Sequence, residues 1–218
     1  MVDDPRNLAQ AWSASDFDAR HRVVGTADLR GPFGLTLAAR YAGTSGRPFS
    51  LVVDGDINGD EANGNDLSFL FDPDDPATPA DVAASMRRLL SNPRNLARAY
   101  IRGHLGRVAG RNTITTPWSN RIDARLSRRF ALRGVGGGEL MLDVFNVANL
   151  LNRRWGAQYL LPTGISSQNP VVNRVPLLRV TGFDSAQQRY RYSVNAGAGV
   201  LPKGGEPYQV QVGVRLGQ

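Results

Sequence analysis

The sequence predicts a mainly β protein, an antiparallel meander of about five long strands, and three observations carry that prediction. Apolar and polar residues alternate in several runs, most cleanly from Tyr208 to Leu216. Glycine and proline punctuate those runs, as at Gly31-Pro32 and at Gly134, Gly136, Gly137 and Gly138. No run of 18 apolar residues occurs, so no membrane-spanning helix is expected. A period of two sends successive side chains to opposite faces of a sheet. Each predicted strand therefore has one apolar face and one polar face.

Residues 1–16 are polar and aperiodic and read as an extended leader. Residues 17–53 read as a first hairpin. Phe17, Ala19, His21, Val23, Gly25, Ala27 and Leu29 share one face, and the chain turns at Gly31-Pro32. Phe33, Leu35, Leu37, Ala39 and Tyr41 alternate in the return strand, which is expected to run on through FSLVV to Val53. Residues 54–116 form a long connection that opens with an acidic turn. Two short helices follow: one starts at Thr78-Pro79 with Val82, Met86, Leu89 and Leu90 as its stripe. The other starts at Asn92-Pro93 with Leu96, Tyr100, Ile101 and Leu105.

Residues 117–156 read as a second hairpin. Ile122, Ala124, Leu126, Phe130 and Leu132 lie on one face of its first strand, interrupted by Arg128. Leu140, Leu142 and Val144 alternate with Glu139, Met141, Asp143 and Phe145 in the second. The glycines between them supply backbone freedom for the turn. Residues 157–206 form another long connection with a minor hairpin around Asp184-Ser185, and 207–218 form the last strand.

Composition bounds the chemistry. The 26 Lys and Arg against 19 Asp and Glu leave a net charge of +7. The arginines are spread along strands rather than gathered in a patch, so the charge reads as solubility and arginine-lined strand faces, not as a nucleic-acid surface. With no cysteine, disulfides, thiol catalysis and cysteine metal sites are excluded. His21 and His104 lack ligand-spaced partners. Nothing resembles a nucleophile elbow, and GVGGG between two strands is a turn rather than a phosphate cradle. No enzyme activity and no catalytic residue is expected. One candidate metal loop stands beside the reading of a solvated acidic loop: Asp54, Asp56 and Asn58 at positions one, three and five, with Gly59 at six, have the spacing of oxygen ligands around Ca²⁺, and Asp60 and Asp66 add carboxylates. Position twelve from Asp54 is Asn65 rather than the bidentate Glu, and in the frame starting at Asp56 the turn glycine is replaced by Glu61.

The connections suggest what the apolar face meets. They alternate short (Gly31-Pro32), long (54–116), short (133–138) and long (157–207). Transmembrane barrels keep short turns on the periplasmic side and long loops outside. Nine residues from Tyr208 to Leu216, tilted near 45°, cover about 20 Å, close to the apolar band of such barrels. Ile122, Leu126, Val210, Val212 and Val214 would then face lipid. Arg121, Arg125, Arg129 and Arg215 would face the lumen, pairing with Asp123, Glu139 and Asp143. Trp118, Trp155, Tyr41 and Tyr208 lie near strand ends, where an aromatic girdle belongs. Five strands cannot close a barrel, so this wall needs neighbours.

WSASDFDARHRVVGTADLR, SGRPFSLVVDGDINGDEANGNDL, GRNTITTPWSNRIDARLSRRF and LMLDVFNVANLLNRRWG occur in that order. Together they resemble the C-terminal part of Oar-like TonB-dependent outer-membrane receptors over residues 17–216. PWSNRID followed by DVFNVANLLN and WG is the most specific part. The resemblance implies a 22-stranded barrel with an N-terminal plug in the bacterial outer membrane, this chain supplying about the last five strands. It implies as partners outer-membrane lipid, the plug and remaining barrel strands, the barrel-assembly machinery and an extracellular solute, with the TonB complex engaged only through the plug. Signal peptide, plug and TonB-contacting segment are not in this sequence, and Leu216-Gly217-Gln218 stands where such barrels end on an aromatic residue. On this reading the chain is a C-terminal fragment that transports nothing alone. Energy-coupled uptake or surface binding belongs to the intact parent. The rival expectation is a soluble calcium-dependent β-rich adhesive or carbohydrate-binding module.

Overall fold

A computed structural model describes residues 12–132, 136–161 and 173–216. In chain order the elements are β1 (Arg22–Arg30), β2 (Leu35–Thr44), β3 (Pro48–Asp54), α1 (Ala80–Ser91), α2 (Arg98–Gly103), β4 (Ile114–Thr115) and β5 (Ser119–Leu132). There follow β6 (Gly136–Phe145), α3 (Val147–Leu151), β7 (Gln158–Tyr159), β8 (Arg174–Asp184), β9 (Arg189–Val194), β10 (Lys203–Gly204) and β11 (Gln209–Leu216). The fold is mainly β. Its eleven described strands lie in open sheets, and no described helix is long and apolar enough to cross a membrane.

The chain divides into two compact units. The sheet unit takes residues 19–46, 117–159 and 203–218. It holds a five-stranded sheet in the order β1-β2-β5-β6-β11, every pair antiparallel. The expected meander is therefore present, and β1 and β11 are its edges. Its two short connections lie at one end of the sheet, and the chain leaves for both long connections at the other. The β1–β2 turn passes through Pro32–Gly34, with Phe33 at φ 59° and Gly34 at φ 74°. A Cβ on Gly34 would meet the Arg129 carbonyl oxygen at 2.8 Å, so glycine is required there on two counts. The β5–β6 turn expected at 133–138 falls partly outside the described residues.

The core unit takes residues 1–18, 47–116 and 160–202. Its sheet runs β4-β3-β8-β9, with β3 parallel to β8 and the other pairs antiparallel. Phe49, Leu51, Val52 and Val53 of β3 are buried, as are Leu177 and Leu178 of β8. Val82, Met86, Leu89 and Leu90 of α1 and Ile101 of α2 are buried too, which matches the stripe expected of the first helix.

Several boundaries differ from the sequence reading. β3 does not prolong the first hairpin: it belongs to the other unit. The reason is in its pattern, because PFSLVV is apolar without alternation and both its faces are covered. The alternation at Phe17, Ala19 and His21 does not form strand, since β1 starts at Arg22. Residues 15–18 turn instead, closed by the Asp18 N–H on the Ser15 carbonyl at 3.0 Å. Asp16 is tied to the core unit, its carboxylate accepting from Asn112 Nδ2 at 2.7 Å. α2 starts later than Asn92-Pro93, because two Asx turns come first. Asn92 Oδ1 accepts from the Arg94 N–H, and Asn95 Oδ1 from the Ala97 N–H.

Candidate functional site

The register of the five-stranded sheet decides which side chains share a face, since directly opposed residues in antiparallel strands lie on the same side. Val212 pairs with Leu142, Leu142 with Leu126, Leu126 with Leu37, and Leu37 with Leu29. This one row crosses all five strands and is wholly apolar. The next row is Val210, Val144, Ala124, Ala39 and Ala27. Ile122 and Tyr41 pair beyond it; on the other side lie the row Val214, Leu140, Arg128 and Leu35, whose arginine interrupts the face, and then Leu216 with Gly138 and Phe130. The face is bare: Leu29 is 64% exposed, Leu126 43% and Val212 67%. From Ile122 to Phe130 it extends about 26 Å along the strand, or about 20 Å across a membrane at barrel tilt.

The opposite face is ionic. Arg125 grips Asp143 with Nε–Oδ1 at 2.5 Å and Nη2–Oδ2 at 2.9 Å, a bidentate pair. Glu139 lies between Arg129 at 3.8 Å and Arg215 at 3.6 Å. Arg121 reaches Asp123 at 2.9 Å and Glu206 at 3.0 Å. The structure thus brings all four expected arginines to one face; Arg125, Arg129 and Arg215 pair across strands, while Arg121 pairs with Asp123 of its own strand and with Glu206. It sets Ile122, Leu126, Val210, Val212 and Val214 on the other.

The residues of PWSNRID, DVFNVANLLN and WG meet at one polar knot, which the sequence reading did not foresee. Asn146 ends β6 in the left-handed conformation (φ 54°, ψ 55°) and is buried. Its backbone N–H donates to Asp123 Oδ1 at 2.9 Å. Its Nδ2 donates to the carbonyls of Gly156 at 3.2 Å and Glu206 at 2.8 Å. Asn149 Oδ1 accepts from the Tyr208 N–H at the start of the last strand. The knot ties β5, β6, α3 and the approach to β11 together. Gly156 sits at φ 64°, and a Cβ there would run into Asn146 Oδ1, so the glycine of WG is where the asparagine of FN must fit.

Aromatic residues gather at the same end. The Tyr41 hydroxyl donates to Asn120 Oδ1 at 2.6 Å, and Trp118, Trp155 and Tyr208 are exposed. His104 stacks on Tyr100 and its Nδ1 lies 2.8 Å from the Tyr100 carbonyl.

The acidic loop folds as consecutive Asx turns. Asp56 accepts from the N–H groups of Asn58, Gly59 and Glu61. Asn58 accepts from Asp60, and Asp60 from Ala62 and Asn65 Nδ2. Glu61 takes φ 63°, the conformation for which such loops use glycine. Burial works against the charge on Asp56, but its backbone donors outweigh that and hold its pKa below the ordinary value. Asp66 goes the other way: burial, then the charges of Asp60 and Asp56, push it up. The five residues expected around Ca²⁺ are not assembled as one ligand set. Asp54 accepts from Arg179 Nε at 2.8 Å, and Asp66 Oδ2 from the Ile57 N–H. Among the described residues no three Asp, Glu or His side chains are grouped to hold a metal ion.

No family model matches the chain, and no curated protein and no solved structure matches it either.

Proposed function

We propose that the five-stranded sheet is a segment of outer-membrane β-barrel wall, the C-terminal portion of an Oar-like TonB-dependent receptor. The apolar face meets lipid and the arginine face meets the lumen. The bare row Val212–Leu142–Leu126–Leu37–Leu29 carries this reading. Each such side chain gains roughly 1.5–3 kcal/mol on leaving water, and the sheet unit offers it no apolar layer. A hydrophobic patch of this extent marks an interaction surface, and its height suits a membrane band.

The edges supply the second support. β1 and β11 each pair on one side within this sheet, so closure calls for further strands. Those strands, a plug and the assembly machinery are the partners this wall needs. Solute uptake or surface binding is the work of the closed barrel, and the wall segment performs no catalytic step. A soluble β-rich module accounts for the core unit, which buries its own apolar residues, but leaves the sheet's face without a neighbour.

The absence of cysteine makes the test direct. Single cysteines at Val210, Gln211, Val212, Val214 and Arg215 are labelled with an environment-sensitive fluorophore and the chain is refolded into phosphatidylcholine vesicles. Labels at 210, 212 and 214 are expected to emit to the blue and be quenched by brominated lipid, while those at 211 and 215 stay in a polar setting. Five labels with the same emission and quenching would refute the assignment.

A further inference from the structure

The core unit contains a cavity of about 720 Å³, in the size range of small-molecule sites. One wall is aromatic. Tyr190 and Tyr192 alternate with Arg189 and Arg191 along β9, and Phe71 lies beside them. The Phe71 and Tyr192 rings are 6.1 Å apart and tilted, and Tyr190 and Tyr192 are 6.4 Å apart. The first turn of α1 also lines the cavity, with Asp81 and Val82.

The sheet is modified at this spot. β8 and β9 lose register between Val180 and Gly182, so Thr181 is the extra residue of a bulge, and Thr181 lines the cavity. Bulges re-aim side chains and are enriched beside binding sites. Gln187, in the turn between β8 and β9, adds an amide to the same lining.

The charge balance narrows the ligand. The lining holds Asp81 and Asp184 together with Arg189 and Arg191, and the Asp184–Arg191 pair is closed at 3.1 Å. An anion or a cation would find both signs in the wall. A purely apolar ligand would strip water from Asp81 and Arg189 and return no hydrogen bond. A ring with C–H faces and hydroxyls on its rim satisfies this lining: the faces lie on tyrosine and phenylalanine, and the hydroxyls reach carboxylate, amide, hydroxyl and guanidinium. We propose that this cavity binds a neutral saccharide. The proposal lies within the core unit and stands or falls independently of the membrane assignment.

The test uses the whole chain, refolded in the sugar-free detergent lauryldimethylamine oxide. Saturation-transfer NMR is run with maltotetraose, mannotetraose and chitotetraose, and with tetragalacturonate and tetra-alanine as counter-probes. At least one neutral tetrasaccharide is expected to bind saturably. Tyr190→Ala and Asp81→Asn are each expected to weaken it about tenfold, close to 1.4 kcal/mol. Tyr190→Phe keeps the ring and the binding. Circular dichroism checks that each variant stays folded, and the conservative Asp81→Asn keeps the test usable if Tyr190→Ala does not fold. The proposal is overturned if no neutral tetrasaccharide binds up to about 10 mM. Counter-probes that bind as well, or binding indifferent to both Tyr190→Ala and Asp81→Asn, would also overturn it.

Discussion

The two units of this chain solve the burial problem in opposite ways. Among the described residues, every buried hydrophobic side chain belongs to the core unit, from Phe49 through Met86 and Ile101 to Leu178 and Leu201. The sheet unit is larger in ordered strand yet buries only polar side chains, Ser127 and Asn146. Its hydrophobic residues stand in rows on an open face. One unit carries its own apolar interior, and the other has an apolar exterior that something else must cover. Apolar residues thus do different work in the two places, and substitution separates them.

The largest contrast is expected from truncating one side chain in each. Phe49→Ala removes a fully buried ring and should destabilise the core unit by about 3–5 kcal/mol. Leu126→Ala, in detergent, should cost well under half of that, because detergent fills the space. Urea titration of the detergent-refolded variants, followed by amide exchange in each unit, measures both. Equal losses would mean that Leu126 has a protein neighbour, and the contrast would collapse.

Gly156→Ala sharpens the comparison, because the knot around Asn146 is the sheet unit's nearest equivalent of a core. The positive φ and the encounter with Asn146 Oδ1 predict a loss of about 1–3 kcal/mol, read as faster amide exchange at Asn146 and Tyr208. Unchanged exchange would show that the knot does not hold the last strand in place.

The smallest effects lie in the acidic loop, where two carboxylates have opposite signs. Asp56 is depressed, so its contribution is present above the unfolded carboxylate pKa, about 3.9, and is lost as pH falls through the folded value. Asp66 is raised, so its contribution is full below about 3.9 and is lost as pH rises through the folded value. Asp56→Asn should therefore destabilise the loop at neutral pH, and Asp66→Asn should stabilise it, keeping an oxygen for the Ile57 N–H. Both differences should shrink toward pH 3. Urea midpoints of the two variants at both pH values decide the signs.

The sheet was legible because alternation is a local property: Val210, Val212 and Val214 declare a face without reference to any other strand. The two arginine-bearing strands were legible for the same reason. The core unit's sheet was not, because Ser50 pairs in parallel with Arg174, across most of the chain, and a fully buried strand has no alternation to read. The acidic loop was legible only as two alternatives, because Asx turns and calcium loops use the same residues at the same spacing. The knot's residues were visible as DVFN, NLLN and WG, but only three dimensions bring Asp123 and Glu206 to Asn146. The cavity needed a helix start, a bulge and a strand from distant segments, and none of those carries a spacing signature.

Beyond residues 1–18, the core unit is stitched from two longer lengths of chain, 47–116 and 160–202, with the hairpin of β5 and β6 between them. A ribosome releases the first length long before the second exists, so β3 waits without its parallel neighbour until β8 has been made. Neither length is a domain alone, and a protease that nicks only the later one should release the earlier one as well. Damage to one insertion is thereby felt in both, which makes the pair a single heritable part.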